Sequence, residues 1–111
     1  MLKNRPDDDA FGLPVAAHEK IAAVLSDYPE VLRVTVFGSR AKGNYRSGSD
    51  IDLCLDAQAL SMRRRLELEN RLDDLLLPWK IDLLLRHEID NPALLEHIAR
   101  VGRALLVPLQ R

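Results

Sequence analysis

Apolar residues recur at helical spacing after Pro14, at Ala17, Ile21, Val24, Leu25 and Tyr28, until Pro29 ends the pattern, which predicts a first amphipathic helix. The period then drops to two. From Val31 to Phe37, Leu32, Val34 and Val36 alternate with Arg33, Thr35 and Phe37, the pattern of a half-buried strand ending at Gly38. Gly43, Asn44, Ser47 and Gly48 make the stretch from Ser39 to Gly48 a short helical turn followed by a loop. In the next strand Ile51, Leu53 and Leu55 share one face. Asp50, Asp52, Cys54 and Asp56 share the other, because successive side chains in a strand alternate. The acids at 50 and 52 therefore project together.

Leu60 to Leu77 is the longest helical stretch, with Leu68, Leu72, Leu75 and Leu76 in one stripe, and Pro78 stops it. Trp79 to Leu85 reads as a third strand in phase with the second: Ile81, Leu83 and Leu85 face one way, Lys80 and Asp82 the other. A last helix runs from Pro92 through Leu94, Leu95, Ile98 and Val101 to a C-cap at Gly102, and Ala104 to Val107 adds a short edge strand. This order predicts an α/β (α+β) fold, a small mixed sheet with helices packed on the face made by the odd-numbered residues of the second and third strands. The opposite face carries the acids.

Composition narrows the function. A chain of 111 residues has room for one domain, expected over residues 13–111. Residues 1–12 mix Lys3 and Arg5 with Asp7, Asp8 and Asp9 and are expected to be a flexible tail, neither signal peptide nor anchor. Sixteen basic residues against 17 acidic ones give no broad attraction for nucleic acid or an anionic membrane, so long nucleic acid is not an expected partner. No apolar run approaches the roughly 20 residues needed to span a bilayer. The single cysteine, Cys54, excludes an intrachain disulfide and a cysteine zinc site, and fits a cytoplasmic location.

Between the first two strands stand Gly38-Ser39-Arg40-Ala41-Lys42-Gly43 and then Ser49-Asp50-Ile51-Asp52-Leu53, with Asp82 in the third strand. A Gly-Ser pair, an Asp-x-Asp pair and a later single Asp on a neighbouring strand resemble the signature of the polymerase β-type nucleotidyltransferases. The form found here is similar to their smallest stand-alone members, the minimal nucleotidyltransferases of the MntA-like antitoxin type, over about residues 14 to 107. The resemblance implies transfer of a nucleoside monophosphate, AMP above all, from ATP or another NTP to an acceptor hydroxyl. It assigns Asp50, Asp52 and Asp82 to catalysis and to two Mg²⁺ ions, and Gly38, Ser39, Arg40, Lys42 and Ser49 to the nucleotide. Physical chemistry agrees with each part. Two magnesium ions about 4 Å apart stabilise both the entering and leaving oxygens of an in-line displacement, and magnesium prefers carboxylate, phosphate and water oxygens. A glycine and a serine where a strand turns into a helix let backbone N–H groups meet phosphates without a Cβ in the way. Arg46 is a further source of positive charge.

The same resemblance implies a partner, a small all-helical HEPN-type protein modified on a tyrosine hydroxyl. So short a chain must borrow its acceptor surface from another polypeptide or a second copy of itself, hence a hetero- or homo-oligomer. Two rival readings carry different consequences: a non-catalytic module that inhibits its partner by contact and holds ATP as a structural ligand, and a small-molecule enzyme of the aminoglycoside-modifying kind. Other motifs fail on inspection. Gly38 to Gly43 has P-loop glycine spacing, but Asn44 and Tyr45 stand where Lys and Ser or Thr are required. His18-Glu19 and His87-Glu88 lack the second histidine of a zinc-protease helix. Arg63 to Arg65 are followed by Glu67, Glu69, Asp73 and Asp74, a solvated face rather than a phosphate patch. Cys54 and Trp79 read as packing residues.

Overall fold

In a computed structural model, which describes residues 10–46 and 48–105, the alternating and helical segments become four strands and four helices. They are α1 (Val15–Leu25), β1 (Arg33–Phe37), α2 (Ser39–Lys42), β2 (Ile51–Asp56), α3 (Met62–Asp73), β3 (Ile81–Leu85), α4 (Pro92–Val101) and β4 (Arg103–Ala104). The strands form one mixed sheet in the order β3-β2-β1-β4, with β1 antiparallel to β2 and β4 and β2 parallel to β3. The expected fold class is the one observed.

Ile51, Leu53, Leu55, Leu83 and Leu85 bury their side chains with Ile21, Val24, Leu25, Leu68 and Leu72 in the main core, so α1 and α3 cover the odd-residue face as expected. Burial of this set is the dominant favourable term, at about 25 cal/mol per Å² of apolar surface. Arginines tie the helical layer together. Arg64 donates Nε and Nη2 to the Glu30 carboxylate at 2.8 and 3.1 Å and stacks 4.3 Å from the Tyr28 ring, while Arg71 reaches Asp27 at 2.7 Å. Arg64 and Arg65 of the triple-arginine run are thus ion-paired to Glu30, Glu67, Glu69 and Glu88.

Several boundaries shift for local reasons. α3 starts at Met62 because the Ser61 hydroxyl caps it, accepting the Arg64 N–H at 3.1 Å, and it stops at Asp73 rather than Leu77. Asp73 and Asp74 oppose the negative end of the helix dipole there, and Leu76 has φ 55°. The β1 ladder begins at Arg33, which leaves Leu32 81% exposed instead of on the core face. Residues 1–9 of the expected tail lie outside the described residues; Ala10–Gly12 form a 3₁₀ turn whose Phe11 packs against the main core. The expected edge strand is seen at Arg103–Ala104, and residues 106 and 107 lie outside the described residues.

One helix lies on the other face. α4 is capped by Asn91, whose side-chain oxygen accepts the Ala93 N–H at 2.8 Å, and it lays Ile98 and Leu94 against Phe37, Cys54 and Leu84. Gly102 closes it with ordinary φ, and its glycine has a different cause from a left-handed cap: a Cβ there would strike the Thr35 side chain and the Ile98 carbonyl. α4 thus covers the middle of the acid-bearing face and leaves its ends open. Among the described residues no helix is long and apolar enough to cross a membrane.

Candidate active site

Strand pairing aligns Phe37, Asp52 and Asp82 in one row across β1, β2 and β3. The row borders a cleft of about 540 Å³ that also includes Lys80 and Leu84. Asp52 is half-buried, and its carboxyl is pushed above the usual range, first by burial, then by the nearby Asp82 and Asp50 carboxylates. His97 works against that shift. Lys80 Nζ approaches Asp82 Oδ1 at 3.6 Å, an exposed pair that offsets little of the crowding. Asp50 lies just before β2, exposed, within electrostatic reach of Asp52. The structure therefore brings Asp52 and Asp82 side by side with Asp50 at the margin. Among the described residues no three such groups are already gathered into a ligand cage.

Gly38 ends β1 with φ 76° and ψ −156°. A Cβ at this position would overlap the Asp52 carboxylate, so the backbone of the Gly-Ser turn lies directly against the acid row. Gly38→Ala is expected to cut catalytic turnover roughly a hundredfold and stability by about 2 kcal/mol, since the methyl displaces Asp52 and strains a left-handed backbone. Turnover assays and urea denaturation of the variant measure both effects.

The remaining expected nucleotide ligands fall into two groups. Ser39 is half-buried at the start of α2, and Lys42 is exposed in its last turn. Arg40, expected at the nucleotide, is placed inside the fold. It is only 2% exposed, donates Nε and Nη2 to the Ser49 carbonyl at 3.1 and 3.0 Å and Nη1 to the Phe11 carbonyl at 2.8 Å, and packs on the rings of Tyr45 and Trp79. Ser49 uses its hydroxyl inside the same loop, accepting the Arg46 N–H at 2.8 Å. Trp79 is half-buried against the core, as a packing residue should be. Cys54 is buried under α4, and burial pushes its thiol up.

Sequence reasoning assigned no role to His97. Its ring meets Phe37 edge-on at 6.2 Å, which puts an imidazole at the rim of the acid row. The available signal is its place next to buried Ile98 in α4, usable only once α4 is known to lie on this face.

Comparison with known proteins identifies the family. Residues 19–108 match the family described as polymerase beta, nucleotidyltransferase. The chain belongs to the polymerase β nucleotidyltransferase family. Enzymes of this family use a nucleoside triphosphate and a divalent metal, and the activity of this member is nucleotidyl transfer. A Methanocaldococcus jannaschii protein named as a protein adenylyltransferase is 38% identical over 76 residues, 68% of this chain and 74% of its own. A toxin–antitoxin crystal structure with AMP-PNP matches this nucleotidyltransferase with a TM-score of 0.66 at 27% identity, over 82% of this chain and 73% of the other. A chain from the complex of a tri-AMPylated Shewanella oneidensis HEPN toxin with an MNT antitoxin shares the fold, with a TM-score of 0.62 at 24% identity over 85% and 72% of the two chains.

Proposed function

We propose that this nucleotidyltransferase moves AMP from ATP to a hydroxyl of a HEPN-type protein partner, with Asp50, Asp52 and Asp82 holding two Mg²⁺ ions. The reading rests on the register match of Asp52 with Asp82 beside a position, Gly38, that must lack a Cβ. The donor set suits the metal: its oxygens are hard ligands, and a carboxyl whose ionisation is opposed by its neighbours gains most from a cation. When bound, the ions would stabilise the entering hydroxyl oxygen and the oxygen of the departing pyrophosphate at the α-phosphorus.

The chain's own residues do the rest. Asp82, with its side chain 40% exposed at the cleft, accepts the proton of the attacking hydroxyl. Gly38 and Ser39 offer backbone N–H groups and a hydroxyl to the β- and γ-phosphates, and Lys42 and Arg46 add charge from the exposed rim. Arg40 positions Asp50 by gripping the carbonyl of the residue before it. ATP and a protein acceptor are favoured by the adenylyltransferase relative and the AMP-PNP neighbour, and a HEPN-type partner by the S. oneidensis complex.

The test incubates the full chain with Mg²⁺, α-labelled ATP and a candidate HEPN-type protein, with label expected on the protein. If Asp50→Asn and Asp52→Asn proteins still neutralise the partner, contact alone is the function. If label reaches an aminoglycoside and no protein, the acceptor class is a small molecule.

A further inference from the structure

The face that carries Asp52 and Asp82 ends, beyond α4, in a second cleft of about 800 Å³, bordered by Leu32, Arg33, Asp56, Arg86, His87 and Ala99. Asp56 lies four residues along β2 from Asp52, about 13 Å at the usual rise per residue. Its carboxylate takes two arginines: Arg86 Nε at 2.7 Å on Oδ1 and Arg33 Nε at 3.2 Å on Oδ2. Both bind through Nε. Among the described residues the Nη groups of both forks make no hydrogen bond to the protein. One carboxylate against two guanidiniums leaves a positive charge over, and the Arg33 side chain is 70% exposed. Leu32, 81% exposed, stands at the rim. The reaction chemistry uses none of these groups.

Free guanidinium forks match carboxylate geometry and hold it bidentately. The apolar rim and the lack of a Phe, Tyr or Trp among the lining residues favour a polypeptide over nucleic acid, which relies on stacking platforms. We propose that this cleft docks an acidic segment of the protein acceptor, a carboxylate between Arg33 and Arg86 with an apolar neighbour on Leu32. The segment then lies on the same face as the acid row, a few extended residues from Asp52. The assignment rests on the protein-acceptor reading above.

The probe is an acetylated, amidated peptide alternating glutamate and leucine, titrated into the full chain and followed by NMR at the Arg33 and Arg86 Nε–H groups and the Leu32 methyls. These signals are expected to shift. Affinity should fall about tenfold or more in the Arg33→Gln/Arg86→Gln protein and weaken with salt, as charge-steered contacts do, while Mg²⁺-dependent ATP binding stays unchanged. No shift at millimolar peptide, equal binding of a lysine–leucine counterpart, or stronger binding of a single-stranded oligonucleotide would overturn the proposal. Loss of label transfer to every protein with peptide binding intact would instead count against the reaction reading.

Discussion

Asp52→Asn is expected to lower AMP transfer by about three orders of magnitude, roughly 4 kcal/mol of transition-state stabilisation, and at the same time to stabilise the fold at neutral pH. The two effects share one cause. Asp52 sits half-buried beside Asp82, with Asp50 in reach, and its carboxyl is held above the ordinary range by burial and by those charges. A carboxyl raised in the folded state is harder to ionise there than in the unfolded chain, so its ionisation costs stability. That cost is fully present above the folded pKa and vanishes as the pH falls below the unfolded one. The wild type should therefore gain stability on acidification through this window, and the Asn protein should not. Thermal melts across pH should show the variant melting higher at neutral pH, with the gap closing as the pH drops. Mg²⁺ with ATP should raise the wild-type Tm and leave that of the variant where it was. A variant less stable than wild type at neutral pH would mean that the acids are not crowded.

Much of this site is legible in the sequence because β2 and β3 each separate an apolar odd set from an even set that carries the acids. Parity alone puts Asp52 and Asp82 on one face, and the parallel register then makes them neighbours. The position of α4 is not legible. The even face is only half polar, since Phe37, Cys54 and Leu84 interrupt the acids, and nothing in a local pattern says that these three form a patch until strand pairing collects them. His97 is hidden for the same reason. Leu32 misleads because alternation in sequence continues one residue beyond the hydrogen-bonded ladder. Its exposure becomes meaningful only beside Arg33 and Asp56.

Arg40→Ala is expected to destabilise the protein by about 3 kcal/mol, since it leaves two part-buried carbonyls without this donor and empties a site between two rings. In a domain of this size that lowers Tm by about 10 °C or more. In a glycine-bounded turn whose sequence resembles a nucleotide-binding signature, an arginine reads as a phosphate ligand. Here its guanidinium instead joins three separate pieces: the Phe11 carbonyl of the N-terminal turn, the Ser49 carbonyl of the loop before β2, and Trp79 ahead of β3. Burial pushes its pKa down, yet a guanidinium remains charged at neutral pH. Lysine cannot reproduce a planar fork that serves two carbonyls at once, so Arg40→Lys should recover only a small part of the loss. Lys42→Ala, an exposed change two residues away, should move stability by no more than about 0.5 kcal/mol. Activity of the Arg40→Ala protein should fall together with its melting temperature, because the loop that delivers Asp50 is released. The opposite pattern, weaker ATP binding with an unchanged melt, would return Arg40 to the phosphates.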